Sequence, residues 1–154
     1  MRKKLNELSN LEYFSNRINW CGQRYKYISR GSARKVFHYS ETLVIKVAYN
    51  EKGIAQNQAE VDIWNYTFPN QRKVLAAVID YCPNYTWVLQ RKITKKCTDK
   101  QVTHFYRTKS TILKSLTSLD LNHGDTSRSL GSSRKGIVIY DYGFTNFVNR
   151  NYYQ

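Results

Sequence analysis

The residues of this chain best suited to chemistry are a lysine inside an apolar strand pattern, a glutamate on the helical pattern that follows, and an aspartate directly after a second apolar strand. They are Lys46 in Leu43-Val44-Ile45-Lys46-Val47-Ala48, Glu60 in Gln56-Asn57-Gln58-Ala59-Glu60-Val61, and Asp141 in Asp141-Tyr142-Gly143, which follows Gly136-Ile137-Val138-Ile139-Tyr140. An ammonium pairs with phosphate oxygens, a carboxylate can fix that ammonium, and a second carboxylate can carry a metal ion. Together the three can hold a nucleoside triphosphate. A lysine flanked on both sides by apolar residues needs an anionic partner, and Glu60 supplies one. The plainer alternatives are an edge-strand lysine reaching into water, a solvated helix glutamate and an ordinary Asp-containing turn.

The elements that must position these residues can be read from periodicity. Leu5, Leu8, Leu11, Phe14 and Ile18 recur at helical spacing, which predicts one amphipathic helix over about 4–18, ended by Trp20-Cys21-Gly22. From Arg24 to Ala48 aromatic and β-branched alternation predicts three antiparallel strands. A helix over 54–66 stops before Pro69, and strands over 74–79 and 85–89 join at Pro83-Asn84. A second helix is expected over 100–119, then a polar loop from Asp120 to Lys135, nearest to a flexible linker from Thr126 onward, and a last strand over 136–140.

With 154 residues and 41% apolar content the chain suits one domain. The run Val74-Leu75-Ala76-Ala77-Val78-Ile79 is far short of the roughly 18 residues of a membrane span, and the start has no signal-peptide apolar region. The expectation is a cytoplasmic protein without a membrane partner. Cys21, Cys82 and Cys97 have neither disulfide nor zinc spacing and read as reduced thiols. His38, His104 and His123 lack metal-ligand spacing, and no Gly-x-Ser-x-Gly elbow is present. The net charge of +14, spread along the chain, attracts nucleic acid, an anionic membrane or an acidic protein, and does not by itself choose among them; an acidic or host protein is the expected partner, with nucleic acid as an alternative. Thirteen tyrosines and three tryptophans could stack on single-stranded nucleic acid, although a small strand-rich core uses aromatic residues as readily.

The order of three strands, helix, two strands, helix, polar loop, strand and Asp-x-Gly resembles the protein-kinase-like superfamily over about residues 24–145. In brevity it is similar to the small kinase-like proteins of bacteriophages. The resemblance implies an α+β, minimal protein-kinase-like fold: an antiparallel five-stranded sheet with one helix in the first lobe and a truncated, mostly helical second lobe. Residues 1–22 would be an N-terminal helical extension, 23–93 the first lobe and 94–154 the reduced second lobe. It also implies ATP and magnesium as cofactors. Gly31-Ser32-Ala33-Arg34-Lys35-Val36 resembles the end of a glycine-rich phosphate loop with one glycine left, so Gly31, Arg34, Lys46 and Glu60 would serve the nucleotide and Asp141 the metal.

His123-Gly124-Asp125 resembles the catalytic loop, which makes Asp125 the base, with Lys46 as the other catalytic residue, and puts the second metal ligand at Leu130 or, with one residue missing, Ser129. In the alternative register Asp120 is the base and Asp125 the metal ligand. Only Phe144 to Gln154 follow the Asp-x-Gly, so the platform that holds a protein substrate in larger kinases is mostly absent. Three functions stay open: a serine/threonine-type protein kinase acting on a host protein, a pseudokinase that binds a host protein through its basic surface, and a kinase-like nucleic-acid-binding protein.

Overall fold

Alternating β-branched and aromatic residues build the sheet that carries Lys46. The structure is a computed structural model and describes residues 2–120, 129–134 and 136–154. It divides into two compact units, Met1–Gln58 with Val78–Arg91, and Ala59–Ala77 with Lys92–Gln154. No helix among the described residues is long and apolar enough to cross a membrane.

The first unit holds α1 (Arg2–Ser9), α2 (Phe14–Arg24), β1 (Lys26–Arg30), β2 (Arg34–Ser40), β3 (Leu43–Ala48), β4 (Val78–Tyr81) and β5 (Trp87–Arg91). It also holds the first half of α3 (Glu51–Tyr66). The strands form one antiparallel sheet in the order β1-β2-β3-β5-β4. Register fixes its two faces, because opposed residues of an antiparallel pair share a side. Phe37, Ile45 and Leu89 stand opposite one another and join Val47, Trp87, Leu5, Leu8 and Cys21 in the apolar core. Val36, Lys46 and Val88 are opposed on the other face, so one residue of offset separates a core position from a candidate site.

The single helix expected over 4–18 is two helices. The Ser9 hydroxyl donates to the Leu5 carbonyl at 2.9 Å and accepts the Trp87 indole N–H at 3.0 Å, which pins the end of α1 to the sheet. The break lets the apolar sides of both helices enter the same core. Gly22 does not stop α2, which runs on to Arg24, whose guanidinium lies 4.2 Å from the Trp20 ring centroid and donates to the Trp20 carbonyl.

α3 begins at Glu51, earlier than expected, because the Asn50 side chain accepts the Gly53 N–H at 3.0 Å. Gly53 is required there: a Cβ would lie 2.3 Å from the Ala33 carbonyl oxygen and 2.9 Å from the Ala48 Cβ. The strand expected over 74–79 is Val78–Tyr81 instead. β5 starts after a turn in which Tyr85 takes φ 54° and donates its N–H to the Cys82 carbonyl.

The second unit holds the rest of α3, α4 (Pro69–Arg72), β6 (Lys95–Lys96), α5 (Asp99–Leu116) with a 3-10 turn Thr117–Leu119, β7 (Leu130–Ser133), β8 (Gly136–Ile139) and α6 (Asn146–Tyr152). A reciprocal cap between Thr98 and Gln101 starts α5. Part of the expected loop is strand: β6, β7 and β8 form a three-stranded antiparallel sheet. Gly131 lets β7 pass Ile93, whose Cδ1 would stand 2.6 Å from an added Cβ. Val74 and Leu75, expected to extend β4, are paired with β8 through a parallel Leu75–Ile139 bridge. Its hydrogen bonds run from Ala76 N–H to Ile139 and from Ile139 N–H to Val74, each 2.8 Å.

Candidate functional site

The sequence-predicted residues divide between the two units. In the first, Lys46 sits at the middle of the central strand β3 and is only 4% exposed. A solvated edge-strand lysine is therefore not what the fold holds. Gln90 and Arg34, on the same face by register, are also buried. The Arg34 guanidinium donates to Asn57 Oδ1 at 3.2 Å, and Asn57 Nδ2 donates to the Tyr85 carbonyl at 2.8 Å. This buried relay joins the start of β2, helix α3 and the β4–β5 turn, and each member satisfies a group that would otherwise be costly to bury.

The expected phosphate loop is a tight three-residue connection between β1 and β2. The Gly31 N–H donates to the Arg34 carbonyl at 2.9 Å, and the Gly31 carbonyl accepts the Tyr49 hydroxyl at 2.8 Å. Arg30 lies 4.6 Å from the Tyr49 ring centroid. The Gly31 amide and the Arg34 side chain thus both have partners within the unit.

In the second unit Glu60 is fully buried on α3, and its Oε1 accepts the Tyr142 N–H at 3.3 Å. Tyr142 is itself buried, and its hydroxyl donates to the Ala76 carbonyl at 2.8 Å. The residue after Asp141 is therefore fastened at backbone and side chain, while Asp141 stays half-buried. Ser129, 6% exposed, accepts the Tyr140 N–H on its carbonyl at 2.8 Å, so its backbone is paired with the residue preceding Asp141.

Asp120 takes φ 64°, and its carboxylate accepts the Phe147 N–H at 2.6 Å while its carbonyl accepts that of Asn146. It is committed to the first turn of α6, which Thr145 also caps. Asp125, with His123 and Gly124, lies outside the described residues. Among the described residues no three His, Cys, Asp or Glu side chains gather as a metal cluster.

Sequence reading missed Asn57, Tyr142 and Tyr49. The available signal was polar residues on one side of α3: Asn57 and Glu60 stand three positions apart with Gln56 beside them, and all three are buried.

No protein-family model and no curated protein matches the chain. Among solved structures it is similar to SAICAR synthase from Saccharomyces cerevisiae, complexed with SAICAR. The identity is 13% and the TM-score 0.35, over 55% of this chain and 42% of that one. The chain thus spans less than half of that enzyme, and a likeness of this extent carries no weight for function.

Proposed function

We propose that the chain is a small kinase-like protein that binds ATP and magnesium and transfers phosphate to a protein hydroxyl. The observation that carries this reading is the hydrogen bond from the Tyr142 N–H to Glu60, which links the glutamate of α3 to the residue beside Asp141 across 82 positions of sequence. A glutamate held fully buried is costly unless paired, and glutamates are almost never so placed without a partner.

In this reading Lys46 takes the phosphate oxygens and Glu60 is its counter-charge, as the resemblance has it. Asp141 and Ser129 would hold magnesium, and Asp125 would orient the acceptor hydroxyl. The metal, when bound, neutralises charge on the phosphate oxygens; the half-buried Asp141 carboxylate on an anchored backbone fits that task. Incubation with radiolabelled ATP and magnesium tests it. Label transferred to the protein or to an added protein substrate, and lost in Asp141→Ala, is the expected result. No transfer and no calorimetric binding of magnesium-ATP would overturn it.

A second reading, a pseudokinase that works through a partner protein, is favoured by one specific observation. Gly31 and Arg34 spend their hydrogen bonds on the Arg34 carbonyl, Tyr49 and Asn57. Binding of magnesium-ATP without any transfer, or no nucleotide binding in a folded protein, would select it.

A further inference from the structure

We infer that the solvent face of α5 is a docking surface for the phosphate backbone of double-stranded nucleic acid. From Lys100 to Leu119 the chain contains no Asp or Glu. Lys100, Arg107 and Lys114 stand seven residues apart on α5, which spaces them about 10.5 Å along the helix and within about 40° around it. All three are exposed, as are His104 and Thr111 between them and Thr103 and Ser110 at their flank. The opposite side of the helix carries Phe105, Leu113 and Leu116, which are buried in the unit. The result is a straight row of cations about 21 Å long on a rigid element.

The composition of the row selects the occupant. A protein interface needs apolar or aromatic anchors in its buried centre, and this face offers none. A membrane held by charge alone asks for a cluster of about four to eight cations, more than this row carries, and the apolar side of the helix is already packed inside the unit. A second copy of the face would bring like charges together. Single strands are held by aromatic stacking, and the two aromatic residues of α5, Phe105 and Tyr106, are buried and half-buried. A duplex backbone asks only for cations at spaced positions, and releases counterions when it meets them. DNA and RNA duplexes share that chemistry.

Anisotropy titrations with labelled 20-base-pair duplexes of DNA and of RNA, at 50 to 200 mM salt, test the proposal. The unmodified protein should bind, with log affinity falling linearly against log salt. The triple variant Lys100→Gln, Arg107→Gln, Lys114→Gln should make that slope shallower by about 2 to 3, as loss of three phosphate contacts predicts. The equally charged control Arg24→Gln, Lys26→Gln, Arg30→Gln, on exposed residues of the other unit, should change it by less than about one. Tighter binding of one duplex names the source of the backbone. Equal losses in the two variants, binding insensitive to salt, or displacement by polyglutamate as effective as by unlabelled duplex at equal charge would each overturn it.

Discussion

Glu60 offers the sharpest separation of anchoring from charge. Replacement by alanine removes an acceptor of the buried Tyr142 N–H, and loss of that hydrogen bond costs about 0.5 to 1.5 kcal/mol. Glu60→Gln keeps an oxygen at the same reach, removes the charge and turns the second oxygen into an NH2 donor. Urea denaturation should therefore find the glutamine variant well above the alanine variant in stability, with phosphoryl transfer impaired in both. Equal midpoints would mean that the hydrogen bond does not hold the strand end. Cys21 supplies a pH dependence. Burial pushes its thiol from 9.0 up to about 12, against a smaller opposing effect of the Arg24 charge. Between those values the unfolded chain has lost the proton and the folded chain retains it, so stability falls as pH rises from 9 towards 12. Cys21→Ala should flatten the decline between pH 9 and 10 in thermal unfolding. Above pH 10 a decline of the same sign should persist, because Tyr25 is also pushed up to about 12, first by burial and then by Tyr39.

At the scale of elements, two glycines in helices should respond oppositely to alanine. At Gly22 of α2 an added Cβ meets nothing within 4 Å, so Gly22→Ala should stabilise by about 0.5 to 1 kcal/mol through helix propensity. At Gly53 of α3 the same methyl strikes the Ala33 carbonyl and the Ala48 backbone, and overpacking of about 1 to 3 kcal/mol should outweigh that gain. Chemical denaturation of the two variants side by side checks both signs. Local pattern was enough for β1 to β3, for α5 and for the apolar side of the sheet, because period-2 and period-3.6 repeats are written in adjacent residues. It failed where a distant partner decides. Val74-Leu75 reads as the start of β4 yet pairs with Ile139, and Leu130-Gly131-Ser132-Ser133 reads as loop yet is the middle strand of a sheet. Of the residues that the sequence singles out by type, Lys46 and Glu60 are buried and Asp141 is half-buried. The relay through Asn57 and the double fastening of Tyr142 were hidden because both depend on backbone groups, which carry no residue signature.

For the whole molecule, the division into units does not follow chain order. The chain enters the second unit at Ala59, returns to the first at Val78 and leaves it again after Arg91. A fragment ending at Arg91 would contain every strand of the five-stranded sheet but would leave Val61, Ile63, Val74 and Leu75 without the C-terminal residues of their own unit. Such a fragment should aggregate unless these positions are made polar; light scattering of the fragment and of a Val61→Thr, Ile63→Thr, Leu75→Thr version would check it. A soluble unsubstituted fragment would count against this view of the units.

The same interleaving sets a timetable during synthesis. Glu60 emerges 82 residues before Tyr142, and Leu75 emerges 64 before Ile139. At about 5 to 20 residues per second, the buried carboxylate waits roughly 4 to 16 s for the amide it accepts. Through that interval Val74-Leu75 lacks its pairing with Ile139 and Glu60 lacks the Tyr142 amide. The segment from Ile139 to Tyr142 therefore closes contacts of the second unit that wait on translation, and the unit's burden on chaperones is set by translation speed as much as by final stability.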